Sequence, residues 1–216
     1  MLQLLLASGF FLGLHLGVSG TRLRDSLIET LGEKPFKLIF SASAALGLIW
    51  LILAWHKAPY LPLWGSPRIF RYLALLSMPL SFYLAVAAVT TQPAGEATPY
   101  GVLRITRHPL MWAIALWAGV HLLANGDGAA VIFFGTFLAL AVKGTFDLDR
   151  KRLRESSGRW QAYLEHTSNV PFLAIASGKQ QLAGREIGGW RIALALILYL
   201  AMLHAHAKLF GVDPLG

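Results

Sequence analysis

The chain has 216 residues, 56% of them hydrophobic and 14% charged, with a formal net charge of +8 and no cysteine. That balance excludes an ordinary water-soluble domain and fits a chain that crosses a bilayer several times. The absence of thiols excludes disulfides, iron–sulfur clusters and thiol catalysis. The positive charge is explained by lysine and arginine gathering on one membrane face, so no nucleic-acid partner is expected.

About 20 apolar residues cross a hydrocarbon layer of ~30 Å. Six segments read as spans: 2–19, 37–55, 69–90, 108–124, 129–146 and 188–210. The expected fold is therefore all-α, a polytopic transmembrane helical bundle of about six spans, forming a single domain over 1–216. Its first partner is the lipid bilayer. The loops at 20–36, 91–107 and 147–187, with the adjoining span ends, hold 15 of the 19 Lys and Arg. The positive-inside rule makes these loops cytoplasmic and puts both termini outside. The first span lacks a positive n-region, so it reads as a retained helix and not a cleaved signal.

In chain order, the first span carries Gly9, Gly13 and Gly17 at spacing four, a small-residue stripe suited to close approach. His15 falls on the opposite face. The loop TRLRDSLIETLGEKPFK predicts a short interfacial helix ending near Gly32. Trp55, His56, Lys57 and Tyr60 are interface anchors at the end of span two. Pro79 removes a helix hydrogen bond within span three and predicts a kink.

The loop TQPAGEATPYGVLRI predicts a turn at Pro99–Gly101 that delivers Arg107 and His108 to the start of span four. Pro109 suits a first helical turn. At a helix N-terminus, Arg107 and His108 form a candidate site for an anionic cofactor. The same span carries His121 and ends in the turn cluster Asn125-Gly126-Asp127. An ionisable residue inside a bilayer is a functional candidate by default. The fifth loop, with its basic run Arg150–Arg154 followed by Trp160 and Tyr163, reads as a surface-lying amphipathic helix attracted to anionic lipid. The glycine-rich segment 174–189 reads as a flexible connector. Span six ends with His204, His206 and Lys208.

Asp, Glu and Cys are nearly absent from the spans, which leaves hard cations without ligands. Haem needs only one or two histidines and an apolar slot, and helix bundles supply both. Depth alone leaves the pairing open. His15 can face His108, with His121 facing His204 or His206; alternatively His15 and His121 meet.

The stretches GLHLGVSGTRLR, RHPLMWAIALWAGVHLLANGD and HAHAKLFGVDPLG resemble the NnrU family of bacterial membrane proteins. That family is related to the 15-cis-zeta-carotene isomerases, membrane proteins with haem b. The resemblance implies haem b held by His15 and His121 as metal ligands. It also implies redox-linked chemistry on a lipophilic small molecule: isomerisation of a polyene such as a carotene, or a nitric-oxide role in denitrification. Those isomerases have a cysteine three residues before the second histidine, where this chain has Ala118. A fainter similarity joins TPYGVLRITRHPLMW and DLDRKRLRESSGRWQAYLEHTSNVPF to membrane methyltransferases acting on isoprenylcysteine or phospholipid. It implies S-adenosylmethionine at Arg107 and His108, with Asp147 and Asp149 standing for an acidic pair. A non-enzymatic membrane scaffold is the remaining alternative.

Overall fold

The computed structural model describes residues 1–19, 21–65, 67–91, 98–155 and 159–216. Among these residues every element is helical, and the β pairing is one isolated antiparallel bridge between Pro62 and Asp127. The apolar runs become α1 (Leu2–Leu12), α3 (Glu33–His56), α4 (Arg68–Thr90), α6 (Pro109–Asn125), α7 (Gly128–Glu155) and α11 (Gly189–Phe210). Short helices connect them: α2 (Arg22–Leu31), α5 (Val102–Ile105), α8 (Arg159–His166), α9 (Leu173–Ala176) and α10 (Gly184–Ile187). The chain is a membrane protein with a helical bundle. Four helices, α3, α4, α7 and α11, are long and apolar enough to cross a bilayer. The first span and α2 pass together as a pair bent by 81°. At 17 residues, α6 is about 26 Å long, shorter than those four.

Packing follows the order α11–α4–α6–α7–α1–α3. The main core lies between α1, α3, α6 and α7, where Leu4, Phe11, Leu51, Ala118, Phe133 and Phe134 are buried. A smaller core joins α4, α5 and α6 through Leu84, Val102 and Ala113. Outward-facing side chains are large and apolar: Leu38, Leu76 and Val89 are at least 72% exposed, as lipid contact requires.

Several expectations change when packing is considered. Past Leu12 the first helix widens into a π-helical segment, Gly13–Ser19, which carries His15. A methyl added at Gly9, Gly13 or Gly17 would meet nothing, so this stripe faces away from the rest of the described chain. The close approach falls at Gly47 instead, where a Cβ would come within 2.9 Å of the Phe10 ring. The basic run 150–154 does not start a separate surface helix. It prolongs α7, because Lys143 and Arg150 neutralise Asp147 one turn away on the same helix, at 2.5 and 3.5 Å. The connector 174–189 is not free. Arg104 of α5 donates to Glu186 at 2.8 and 3.0 Å and to Gln180 at 2.8 Å, which docks α10 on α5. Residues 92–97 of the third loop and 156–158 of the fifth lie outside the described residues. The short helix expected before Gly32 is α2, and the turn at Pro99–Gly101 is made with Gly101 at φ +58.

Candidate functional site

The span-four stretch serves three separate tasks. Its far end is structural. Gly126 ends α6 in the left-handed conformation, φ +67, and its carbonyl accepts from Leu63 N and Trp64 N. Asp127 then caps α7, its carboxylate accepting from Ala129 N at 2.9 Å and Ala130 N at 3.1 Å. The turn cluster is the joint of an α6–α7 hairpin.

The near end is an internal ion-pair network. Arg107 donates from Nε to both oxygens of Asp149, at 3.2 and 3.0 Å. His108 Nε2 lies 2.7 Å from the same carboxylate. Arg107 Nη1 reaches the Thr167 carbonyl at 2.9 Å and its hydroxyl at 3.1 Å. Residues 167–169 run alongside. Arg107 N donates to the Ser168 carbonyl, and Thr106 Oγ1 and Trp112 Nε1 both donate to the Asn169 carbonyl. The Asn169 amide donates to Thr145 Oγ1 at 2.8 Å. The Arg-His turn therefore faces an anion, but that anion is Asp149 of the neighbouring helix. Asp147, expected to share a cofactor with Asp149, points instead to Lys143 and Arg150. Thr167, Asn169 and Thr145 escaped the sequence reading. The signal for them was three consecutive polar residues, Thr167-Ser168-Asn169, all of which prove to be buried.

The middle of the bundle holds the histidines. In His15 and His121 alike, Nδ1 lies 2.8 Å from the carbonyl four residues earlier, Phe11 O and Trp117 O. A carbonyl only accepts, so Nδ1 carries a proton in both rings, which in the neutral tautomer leaves the lone pair on Nε2. This is the arrangement that orients a metal-ligating histidine.

Their depth follows from helix register. Contacts pair Met1 with Gly128 and Ser8 with Thr136 along parallel α1 and α7. They pair Met111 with Gly144 and Leu122 with Gly135 along antiparallel α6 and α7. His15 is thus level with about residue 143 and His121 with about residue 135, roughly 12 Å apart along the axis. Each ring folds back toward its own helix N-terminus, in opposite senses along α7, which closes much of that gap. Both approach the depth of Phe137. That ring touches Phe11 at 5.8 Å and Trp117 at 5.4 Å, and those two rings pack on His15 and His121 at 4.3 and 5.6 Å. The two imidazoles sit at either end of one aromatic cluster.

The structure also places His206 beside His121, with ring centroids 6.5 Å apart and planes at 25°. His108 is buried against Asp149, and the ring contacts of His15 are with Phe11 and Phe40. Ala118 is fully buried in the core of α6 and offers no ligand atom. Among the described residues no three His, Cys, Asp or Glu gather as a metal-ion cage. The donor atoms these side chains could offer are the imidazoles of His15, His121 and His206, set among aromatic rings.

The family model described as NnrU protein matches residues 3–214 of the chain. Among curated proteins, the chain is similar to the chloroplastic 15-cis-zeta-carotene isomerase of Zea mays. The two are 26% identical over 191 residues, 83% of this chain and 52% of the relative. The protein of the same description from Arabidopsis thaliana is 27% identical over 195 residues, 84% of this chain and 52% of the relative. The chain thus spans about half the length of the curated relatives it matches. No solved structure matches it.

Proposed function

The chain belongs to the NnrU family, and from that premise we propose that it is a membrane isomerase of a polyene that works with haem b held by His15 and His121. The observation that carries the reading is the matched pair of Nδ1 hydrogen bonds, which leaves both Nε2 atoms as lone-pair donors on either side of the Phe11–Phe137–Trp117 cluster. Haem b, when bound, supplies a redox-switchable iron that can interact with a conjugated double bond and lower the barrier to rotation about it. The chain does the rest. Phe134 packs on His121, and Phe11 and Phe40 pack on His15, which limits water at the two imidazoles. The carbonyls of Phe11 and Trp117 hold each ring in one tautomer and one orientation. A long apolar substrate arrives through the lipid, past the exposed apolar side chains of the bundle. The polyene is preferred over nitric oxide as substrate because both curated relatives named above are described as carotene isomerases.

The test is spectroscopic. The protein is purified with haem supplied, and oxidised and reduced spectra are recorded for parent, His15→Ala and His121→Ala. A Soret band is expected in the parent, with its ligation pattern changed in each variant. Absence of the band, or a spectrum unchanged from the parent in both variants, overturns the assignment. Conversion of 15-cis-zeta-carotene by the loaded protein, followed by chromatography, then tests the substrate separately.

S-adenosylmethionine methyl transfer at Arg107 and His108 is the less favoured proposal, since both side chains are engaged by Asp149. Calorimetric binding of the cofactor to the folded protein would restore it.

A further inference from the structure

At the basic end of α7, three side chains form a stack. The Arg152 guanidinium lies over the Trp160 ring, 4.6 Å from its centroid. Trp160 in turn stacks on Tyr163, with centroids 5.1 Å apart and planes at 17°. Trp160 is 4% exposed and Tyr163 7%, while Arg152 forms the partly exposed outer layer. In each layer a polar atom is buried without a hydrogen-bond partner among the described residues: Arg152 Nη1, Trp160 Nε1 and Tyr163 Oη.

A buried unpaired polar atom is uncommon and costs stability, so three in adjacent layers call for a cause. All three groups are of the donating kind. Guanidinium and indole N–H groups have no accepting lone pair. Burial pushes the Tyr163 phenol up to about 12, so it keeps its proton at physiological pH. A group that satisfies them must accept hydrogen bonds, and beside the Arg152 guanidinium an anion is the best-matched acceptor.

Among the described side chains of α7, the two carboxylates nearest the stack are already engaged. Asp147 is bound by Lys143 and Arg150, and Asp149 by Arg107 and His108. An arginine fork matches the oxygens of a phosphate, and stacking on an aromatic face holds its plane fixed while it does so.

We propose that Arg152, Trp160 and Tyr163 form a binding site for a phosphate group. Arg152 supplies the charge and the outer contact, and the indole N–H and the phenol O–H supply the inner donors. The site is separate from the histidines of the bundle core and does not depend on their cofactor. The phosphate comes either from a lipid headgroup at the membrane face or from a free phosphate in solution.

The test uses the full chain in maltoside micelles and phosphate-free buffer. Thermal unfolding is followed as inorganic phosphate, or a short-chain phosphatidic acid, is added against a sodium chloride control of equal ionic strength. Ligand that binds only the folded state raises Tm. A rise in both arms assigns the site to the phosphate group itself, and a rise with the lipid alone assigns it to a headgroup. In either case the apparent affinity falls about tenfold or more in Arg152→Gln and by a smaller factor in Tyr163→Phe, as expected for a charged and a neutral hydrogen bond. No rise in either arm, or the same rise in parent and both variants, overturns the proposal. A Tyr163→Phe protein more stable than the parent in every medium also overturns it, because the phenol then has no partner to lose.

Discussion

Replacing Asp149 by Asn tests whether the Arg-His turn is an internal lock or an open site. The substitution keeps shape and removes charge. The carboxylate now receives Arg107 Nε at 3.0 and 3.2 Å and His108 Nε2 at 2.7 Å. The three side chains are between 3% and 13% exposed, so neither water nor lipid replaces what is lost. Breaking a fully buried ion pair costs about 3–5 kcal/mol. Two features reduce that here. Arg107 keeps its bonds to the carbonyl and hydroxyl of Thr167, and the asparagine oxygen retains one acceptor. The expected loss is about 2–3 kcal/mol, read as equilibrium unfolding of the protein in mixed micelles with an anionic detergent. A double-mutant cycle with Arg107→Met should return a coupling of about 1–2 kcal/mol. A loss below about 0.5 kcal/mol, or no coupling, would refute the lock. It would return Arg107 to the role of a side chain free to bind an external anion.

Gly126→Ala should destabilise by about 2–4 kcal/mol, because φ is +67 and the new Cβ would stand 2.6 Å from the Trp64 carbonyl oxygen; the same unfolding assay reads it. Asp127→Ala removes the cap of α7 at Ala129 N and Ala130 N and should cost about 1–2 kcal/mol. The Arg104 hydrogen bond, with help from Gly101 N, holds the Glu186 carboxyl below its ordinary value of 4.5. Its folded pKa is depressed, so its contribution is full above pH 4.5 and fades as pH falls through the folded value. That contribution is under about 1 kcal/mol at this surface pair. Tm of the parent should fall more steeply below pH 4.5 than Tm of Glu186→Gln, and parallel curves would reject the link.

Span positions and the hairpin joint were legible in the residues because each rests on local chemistry. A run of about 20 apolar side chains has one low-energy environment, so 37–55, 69–90, 129–146 and 188–210 could be read directly. Pro109 at the first turn of α6 follows from a local backbone rule. So does α2 ending at Gly32, and so does a left-handed glycine between Asn125 and Asp127. His15 and His121 stood out because a titratable ring within an apolar run is costly.

Pairing across helices was not legible, because it depends on register and rotation that no single helix encodes. Asp149 goes to Arg107 and His108 while Asp147, two residues earlier, goes to Lys143 and Arg150: a separation of two residues turns side chains about 200° around a helix. Arg104 found Glu186 across more than eighty residues and converted an expected linker into a docked turn. The glycine stripe of α1 was visible, but which way it faced was settled by the aromatic side of α1 packing on α7. The residues alone determined that this is a polytopic membrane helix bundle carrying histidines in its core. Only the tertiary structure decided which side chains meet: Asp149 with the Arg-His turn, Arg152 stacked on Trp160, and two matched imidazoles at the depth of Phe137. Local sequence sets what a segment is, and burial of one face against another sets which partners it keeps.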